Sequence, residues 1–485
     1  MTRSRIDRLK GLGNFIRRAM AEWRVPGLAI AVVDHGRTIL AEGFGRRDVG
    51  RNLPMTPQTT MPIASVTKAF TAAAMGILVD EKRVEWDKPV RDYLPAFRLH
   101  DPVATERLTV RDLLCHRCGL PRHDYAWYRA SLSRQEMFRR LRYLPPSCDL
   151  RSAWQYQNLM YMVAGLVIQE VTGKTWEDFI RQRLLGPLGM RRSSVTIDEL
   201  KQSDDYALPY VARGRSVAVV PFYEQWAIAP AGAVNACVTD LANWMAMNLA
   251  GGAFGRTRIV SEKTLREIQS PAAVVPFEQL WPEVLQPTYA LGWSVQPYRG
   301  RTMVAHGGSI DGFATQLTLL PSEKLGLVVL TNLHEQPAQN AVTFAAVDLL
   351  LGEKPAPWLE RFRNESRRQK RLAAVKRRKA AGGTVRRGAK PARPAADYLG
   401  EYRHQGYGAC RVERAGGRRL RVLWNGSRCP LRHLRADVFR FDFPRRGDQQ
   451  IVSFYADAEG RIDRLTVPFD PVGKPILFIR CPPGK

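Results

Sequence analysis

A chain of 485 residues, 45% hydrophobic and 25% charged, has the composition of ordinary globular protein and room for roughly two to four domains. No apolar run approaches the roughly 20 residues that span a bilayer. The longest are Leu28–Val33, Ala72–Val79 and Leu325–Leu330, so a helical membrane span is excluded. The formal net charge of +28 would ordinarily raise nucleic acid as a partner, but the segment from Arg361 to Arg393 alone carries +13 of it, with 14 Lys and Arg against the single acid Glu365. No zinc-finger, RNP-like or helix-turn-helix pattern accompanies that excess, and a solvated basic tether is the expectation, with no specific nucleic-acid partner.

The first ten residues are basic, but no apolar h-region or small-residue cleavage site comes after them, and a cytoplasmic protein is expected. Ile6, Leu9, Phe15, Ile16, Met20 and Trp23 are spaced as one side of an amphipathic helix. Gly27–Val33 and Arg37–Gly43 read as two strands joined by the turn Asp34-His35-Gly36. A helix is predicted from about Ser65 to Asp80, with Phe70, Ala73, Ala74, Ile77 and Leu78 on its buried side. The stretch from about 86 to 285 is mostly helical, its clearest helices being Val110–Leu114, Ser133–Tyr143, Tyr161–Thr172, Trp176–Leu185 and Thr239–Leu249. Tyr289–Val295, Thr302–His306, Ala314–Leu320 and Leu325–Asn332 are spaced as an antiparallel meander, with a hairpin at Pro321–Lys324 and then a helix over Gln339–Leu351. Residues 353–394 are rich in Pro, Lys and Arg and read as a flexible connector. From 395 to 485 short alternating stretches are separated by turn signals, of which Gly416-Gly417 and Asn425-Gly426 are the strongest. The division expected is therefore a hydrolase-sized α/β domain at 1–352, a basic linker at 353–394 and a small all-β, barrel-like domain at 395–485. For the first domain the expectation is an antiparallel sheet flanked by helices, with a mostly helical insert.

The seven cysteines, Cys115, Cys118, Cys148, Cys237, Cys410, Cys429 and Cys481, are scattered. Cys115 and Cys118 form the only close pair. Zinc would need a second pair, and redox chemistry a thioredoxin-like βαβ unit. The thiols are read as structural, with no metal and no cofactor.

Ser65-Val-Thr-Lys68 is the first candidate for chemistry. A serine hydroxyl needs a base to become a nucleophile, and residues at i and i+3 of a helix lie side by side. A buried lysine near other cations can lose its charge and act as that base. A helix N-terminus also favours developing negative charge at Ser65. Alone, the spacing fits an N-cap serine beside a solvated lysine equally well.

The context of the motif resembles the serine β-lactamase-like, or penicillin-recognising, superfamily, especially its class C β-lactamases, esterases and D-aminopeptidases. The matching pieces are Pro62-Ile-Ala-Ser65-Val-Thr-Lys68 after a two-strand hairpin, Val25-Pro-Gly-Leu-Ala-Ile-Ala-Val-Val33, Leu108–Leu114 and His116-Arg-Cys-Gly-Leu120. The resemblance implies a second motif, Y-x-N, supplied by Tyr156-Gln-Asn158, with Tyr156 carrying a proton between Ser65 and the leaving group and Asn158 holding Lys68 and a substrate amide. The third motif, usually K-T-G, reads His306-Gly307-Gly308 here and is similar to the H-x-G form of esterases and peptidases. It implies a substrate-binding strand, with the backbone N–H groups of Ser65 and Ser309 as the oxyanion hole. Residues 395–485 resemble the small β-barrel domain often appended to such hydrolases.

The function implied by the resemblance is that of a serine hydrolase acting through an acyl-enzyme on Ser65, on small esters, amides or peptides. A β-lactamase or D-amino-acid peptidase is the alternative enzyme. A catalytically idle relative that binds or senses is the alternative of another class.

Overall fold

The computed structural model describes residues 4–224, 226–380, 391–417, 419–443 and 449–482. Among them, no helix is long and apolar enough to cross a membrane. Two compact units emerge, neither continuous in sequence: Met1–Ala96, Arg107–Cys118 and Asn158–Asn364 form the first, and Phe97–Glu106, Gly119–Gln157 and Glu365–Lys485 the second.

In the first unit the elements that position the site are, in chain order, helix α1 (Leu12–Trp23), strands β1 (Gly27–Asp34) and β2 (Arg37–Asp48), helices α2 (Thr67–Asp80), α3 (Leu159–Thr172) and α4 (Val238–Leu249), strands β3 (Ser294–Tyr298), β4 (Arg301–Ile310), β5 (Phe313–Leu320) and β6 (Leu325–Thr331), and helix α5 (Ala338–Leu351). An antiparallel nine-stranded sheet runs Ala273–Val274, Thr288–Tyr289, β3, β4, β5, β6, β1, β2, Leu53–Pro54. The first and last strands of the domain thus meet at the β6–β1 pair, where Ile30 faces Val329. Residues Gly27–Val33 of β1 are all buried because α1 and α5 cover one face of the sheet and α4 the other, which is why its sequence is a continuous apolar run rather than an alternation. Both expected hairpins form, with His35 and Gly36 at φ 47° and 77° in the first and Lys324 at φ 51° in the second.

Three local differences from the expected elements have physical causes. The N-terminal helix is interrupted: a short helix (Arg5–Arg8) ends at its C-cap Leu9, and Gly11, at φ 92°, is the N-cap from which α1 starts anew, leaving Ile6 exposed and burying Leu12, Ile16 and Ala19. The helix expected from Ser65 begins at Thr67, and Ser65 lies in a 3-10 turn, Ala64–Val66, entered through Ala64 at φ 48°. The expected flexible connector contains helix α6 (Trp358–Ala380). Arg, Lys, Gln and Glu are good helix formers, and the start of α6 is anchored by buried Trp358, Leu359 and Phe362. Trp358 also donates its indole N–H to the fully buried Asp348, which accepts from Arg299 and the Tyr298 hydroxyl as well. The part of the expected linker from 381 to 390 lies outside the described residues.

The second unit is built on a closed barrel of eight strands, β7 (Gly400–His404), β8 (Gly408–Arg414), β9 (Leu420–Trp424), β10 (Ser427–Arg435), β11 (Val438–Asp442), β12 (Gln449–Ala456), β13 (Ile462–Val467) and β14 (Ile476–Arg480). Burial alternates along β9 and β12, so the apolar half of each strand faces inward. The inward side chains, among them Val422, Trp424, Phe441, Phe454 and Phe478, leave a space of only about 10 Å³, so the barrel is filled rather than hollow. Segment 119–157 belongs to this unit. Tyr125 places its ring 5.0 Å from Phe469 and 5.1 Å from Phe443.

Candidate active site

Every residue from Thr59 to Leu78 is buried except Ser65, which is partly exposed at the N-terminal end of α2. One turn further on, Lys68 has no exposed surface and donates from Nζ to Ser65 Oγ at 3.1 Å and to the Ala231 carbonyl at 2.8 Å. The same ammonium stands 5.3 Å from the ring centroid of Tyr161 on α3. That ring is fixed by its hydroxyl, which donates to the Leu114 carbonyl at 2.5 Å. The Ala231 carbonyl is held in turn, because Thr71 donates to the neighbouring Pro230 carbonyl and the Trp176 indole donates to Thr71. Lys68 is therefore aimed at Ser65 by three elements packed on α2. A buried amine on such a short leash is placed to exchange a proton with the hydroxyl beside it.

Strand β4 carries His306, Gly307, Gly308 and Ser309. A Cβ on Gly308 would fall 2.2 Å from the Ile63 carbonyl oxygen and 3.3 Å from Ala64 Cβ. Only a glycine allows β4 to touch the backbone that turns into Ser65, and that approach brings the Ser309 main chain toward the nucleophile's turn. The alternation of the strand leaves Gly307 and Ser309 exposed while His306 and Gly308 are buried.

Both ring nitrogens of His306 have partners. Nδ1 lies 2.6 Å from the Gly307 carbonyl and Nε2 lies 2.9 Å from the Tyr289 hydroxyl. A carbonyl only accepts, so Nδ1 carries the proton. Burial, and after it the positive charge of Lys68, pushes the imidazole down to about 3, so Nε2 is bare and accepts from Tyr289. His116 packs its ring 4.5 Å from that of Tyr289 and 5.5 Å from that of Tyr161, joining the supports of His306 and Lys68. In the sequence His116 and Tyr161 stand out only as parts of longer stretches, and Tyr289 only as the start of a strand. Their roles depend on contacts far apart in the chain.

Asn158, buried at the start of α3, makes no capping bond with its side chain. Tyr156 belongs to the second unit, where the Arg122 guanidinium lies 4.9 Å from its ring centroid and the Trp154 ring 6.2 Å away.

The imidazoles give a pH prediction. Burial also pushes His123 and His404 down to about 4. In the unfolded chain each takes a proton near ~6.5, while in the fold it resists. Between those values the unfolded state binds more protons, so stability is complete above ~6.5 and falls as the pH drops toward about 4. Each imidazole adds a slope of up to about 1.4 kcal/mol per pH unit within its window. Urea unfolding from pH 8 to 4 measures this, and a flat profile there would remove the neutral-imidazole reading.

Residues 12–351 match the beta-lactamase family, and residues 385–480 match a domain of unknown function, DUF3471. The unguisins hydrolase ungD' of Aspergillus campestris is 30% identical over 434 residues, covering 85% of this chain and 77% of that protein. Among solved structures, the octameric penicillin-binding protein homologue from Pyrococcus abyssi aligns with TM-score 0.66 and 25% identity over 97% of this chain and 99% of that one. The D-amino acid amidase from Ochrobactrum anthropi SV3 shares the fold, with TM-score 0.57 and 24% identity over 70% of this chain and 98% of its own. With the family match spanning the turn of Ser65, the buried Lys68 and the strand of His306, the chain belongs to the beta-lactamase family and is a serine hydrolase.

Proposed function

We propose that the chain hydrolyses uncharged esters and small amides through an acyl-enzyme on Ser65. The observation that carries this reading is the 3.1 Å contact between Ser65 Oγ and the buried Lys68 amine. The step requires Lys68 as the neutral amine: Ser65 Oγ attacks the substrate carbonyl carbon while its proton passes to the Lys68 Nζ lone pair. The backbone N–H groups of Ser65 and Ser309 stabilise the oxyanion. As the tetrahedral species collapses, Tyr156 relays that proton from Lys68 to the leaving group, and Asn158 holds Lys68 and a substrate amide. Water then attacks the acyl group and releases the acid, returning the proton to Ser65. Along the chain the proposed order is a hydrolase region at 1–352, the basic segment 353–394 and the β domain at 395–485, in keeping with the two family matches, with the segment of Tyr156 grouped in the compact unit of the barrel.

The preference for uncharged substrates rests on His306 and its two glycines. A β-lactam carries a carboxylate beside its reactive ring. A permanent ammonium would attract it by about 1 to 4 kcal/mol at close range, or roughly ten-fold to a thousand-fold in binding. The imidazole here is neutral down to about 3 and engaged with Tyr289 and Gly307, so it supplies no such charge. Uncharged esters lose nothing by this. Kinetics on p-nitrophenyl butyrate, nitrocefin and D-alanyl p-nitroanilide test the reading. We expect kcat/KM on the ester to exceed that on nitrocefin by about tenfold or more, with His306→Lys narrowing the gap. A wild-type preference for nitrocefin would overturn the substrate class and leave Ser65 in place.

A further inference from the structure

Tyr156 is carried by a segment whose anchorage lies in the C-terminal barrel. Asn425 and Gly426 form the two-residue tip between β9 and β10, with φ of 44° and 67°. From that tip the Asn425 side-chain amide donates to the Tyr125 carbonyl at 2.9 Å and to the Tyr128 carbonyl at 3.2 Å, gripping the short helix Asp124–Trp127 at its end. A second hold is buried. His123, in the left-handed region at φ 48°, meets the Tyr407 hydroxyl through Nδ1 at 2.7 Å and the Pro145 carbonyl through Nε2 at 3.0 Å. The carbonyl can only accept, so Nε2–H donates to it and Tyr407 O–H donates to Nδ1. Both side chains are almost fully buried, and the Tyr407 ring stacks on Phe469 at 5.1 Å. The held residues adjoin Tyr156 directly. Gln157 donates from Nε2 to the Pro121 carbonyl at 2.6 Å, and the Arg122 guanidinium covers the Tyr156 ring.

We infer that the barrel is a positioning device for the proton carrier: Tyr407 and Asn425, more than 240 residues beyond Tyr156 in the chain, fix its segment through His123 and the 124–127 turn. The inference rests on the proton-carrying role proposed for Tyr156. The filled interior of the barrel accords with a mechanical part and leaves little room for a cargo.

The test uses the full chain. Tyr407→Phe keeps the stacked ring and removes the hydroxyl, and Asn425→Gly keeps the left-handed turn and removes the amide. The double variant is expected to lose about tenfold in kcat on p-nitrophenyl butyrate, the scale of a small misplacement of a reacting group. KM should move by less than about threefold, since substrate binding is untouched. In a Tyr156→Phe background the same two changes should have no further effect, a coupling that a purely structural role would not produce. If Tyr156→Phe is slow but the double variant turns over normally, the positioning role is wrong and the role of Tyr156 survives. An equal fall in both backgrounds also overturns it. If Tyr156→Phe is as fast as wild type, both assignments fall. Should the double variant not fold, the single variants are read by the same criteria, with amide exchange across 119–157 expected to quicken in each. Unchanged exchange with unchanged kcat would overturn the inference.

Discussion

Ser65→Ala is expected to lower ester hydrolysis by about 10⁴-fold or more, the scale seen when a nucleophile is removed from a preorganised site. The fold should survive the change. Ser65 lies in a 3-10 turn and makes no capping bond to α2, so its hydroxyl supports no backbone N–H that the alanine would orphan. Strain at this turn is carried by Ala64, which remains. Mass spectrometry after incubation with a serine-directed phosphonate should show one adduct on the wild type and none on the variant. An alanine variant with wild-type turnover would dispose of the acyl-enzyme on Ser65.

Lys68→Ala is expected to slow acylation by about 10²-fold to 10⁴-fold, as for loss of a positioned proton-transfer group. Lys68→Arg should not rescue it, because a guanidinium keeps its proton at any workable pH and is too broad for the niche between Ser65 Oγ and the Ala231 carbonyl. Combined with Tyr156→Phe, the loss should be much smaller than the product of the single losses, since two members of one relay fail together. Pre-steady-state bursts on p-nitrophenyl butyrate measure the step directly. Rescue by arginine would mean that Lys68 acts only as a fixed charge.

The sheet is legible in the sequence where burial is simple. A strand covered on both faces, such as β1, must be apolar throughout, and barrel strands with one wet face must alternate, as along β9. The Asp34–Arg37 hairpin is legible because His35-Gly36 suits positive φ. Ser65, Lys68 and His306 can be found because their motifs are local. Tyr289 cannot, since its value lies in a hydrogen bond to a residue on another strand. The start of α2 falls two residues later than the pattern suggests because a 3-10 turn has no periodicity of its own to read. Helix α6 reads as a connector because its charge dominates its composition, while the few buried aromatics that hold it sit in its first turns. The grouping of 119–157 with the barrel has no signature in local pattern at all.

That grouping bears on how such proteins can be recombined. The seam a breeder of chimaeras would choose, the Pro- and Arg-rich stretch after α5, is the wrong place to cut. A barrel borrowed from a relative would arrive without the partners of its Asn-Gly tip, and the resident segment would be left with Tyr125 and its neighbours stripped of the rings they pack on. A transplant that moves 97–106 and 119–157 along with 365–485 keeps the contacts within that unit. The unit of inheritance in this fold is therefore spatial, and exchange at the level of whole appended domains should yield soluble but sluggish hybrids unless the inserted loops travel with them.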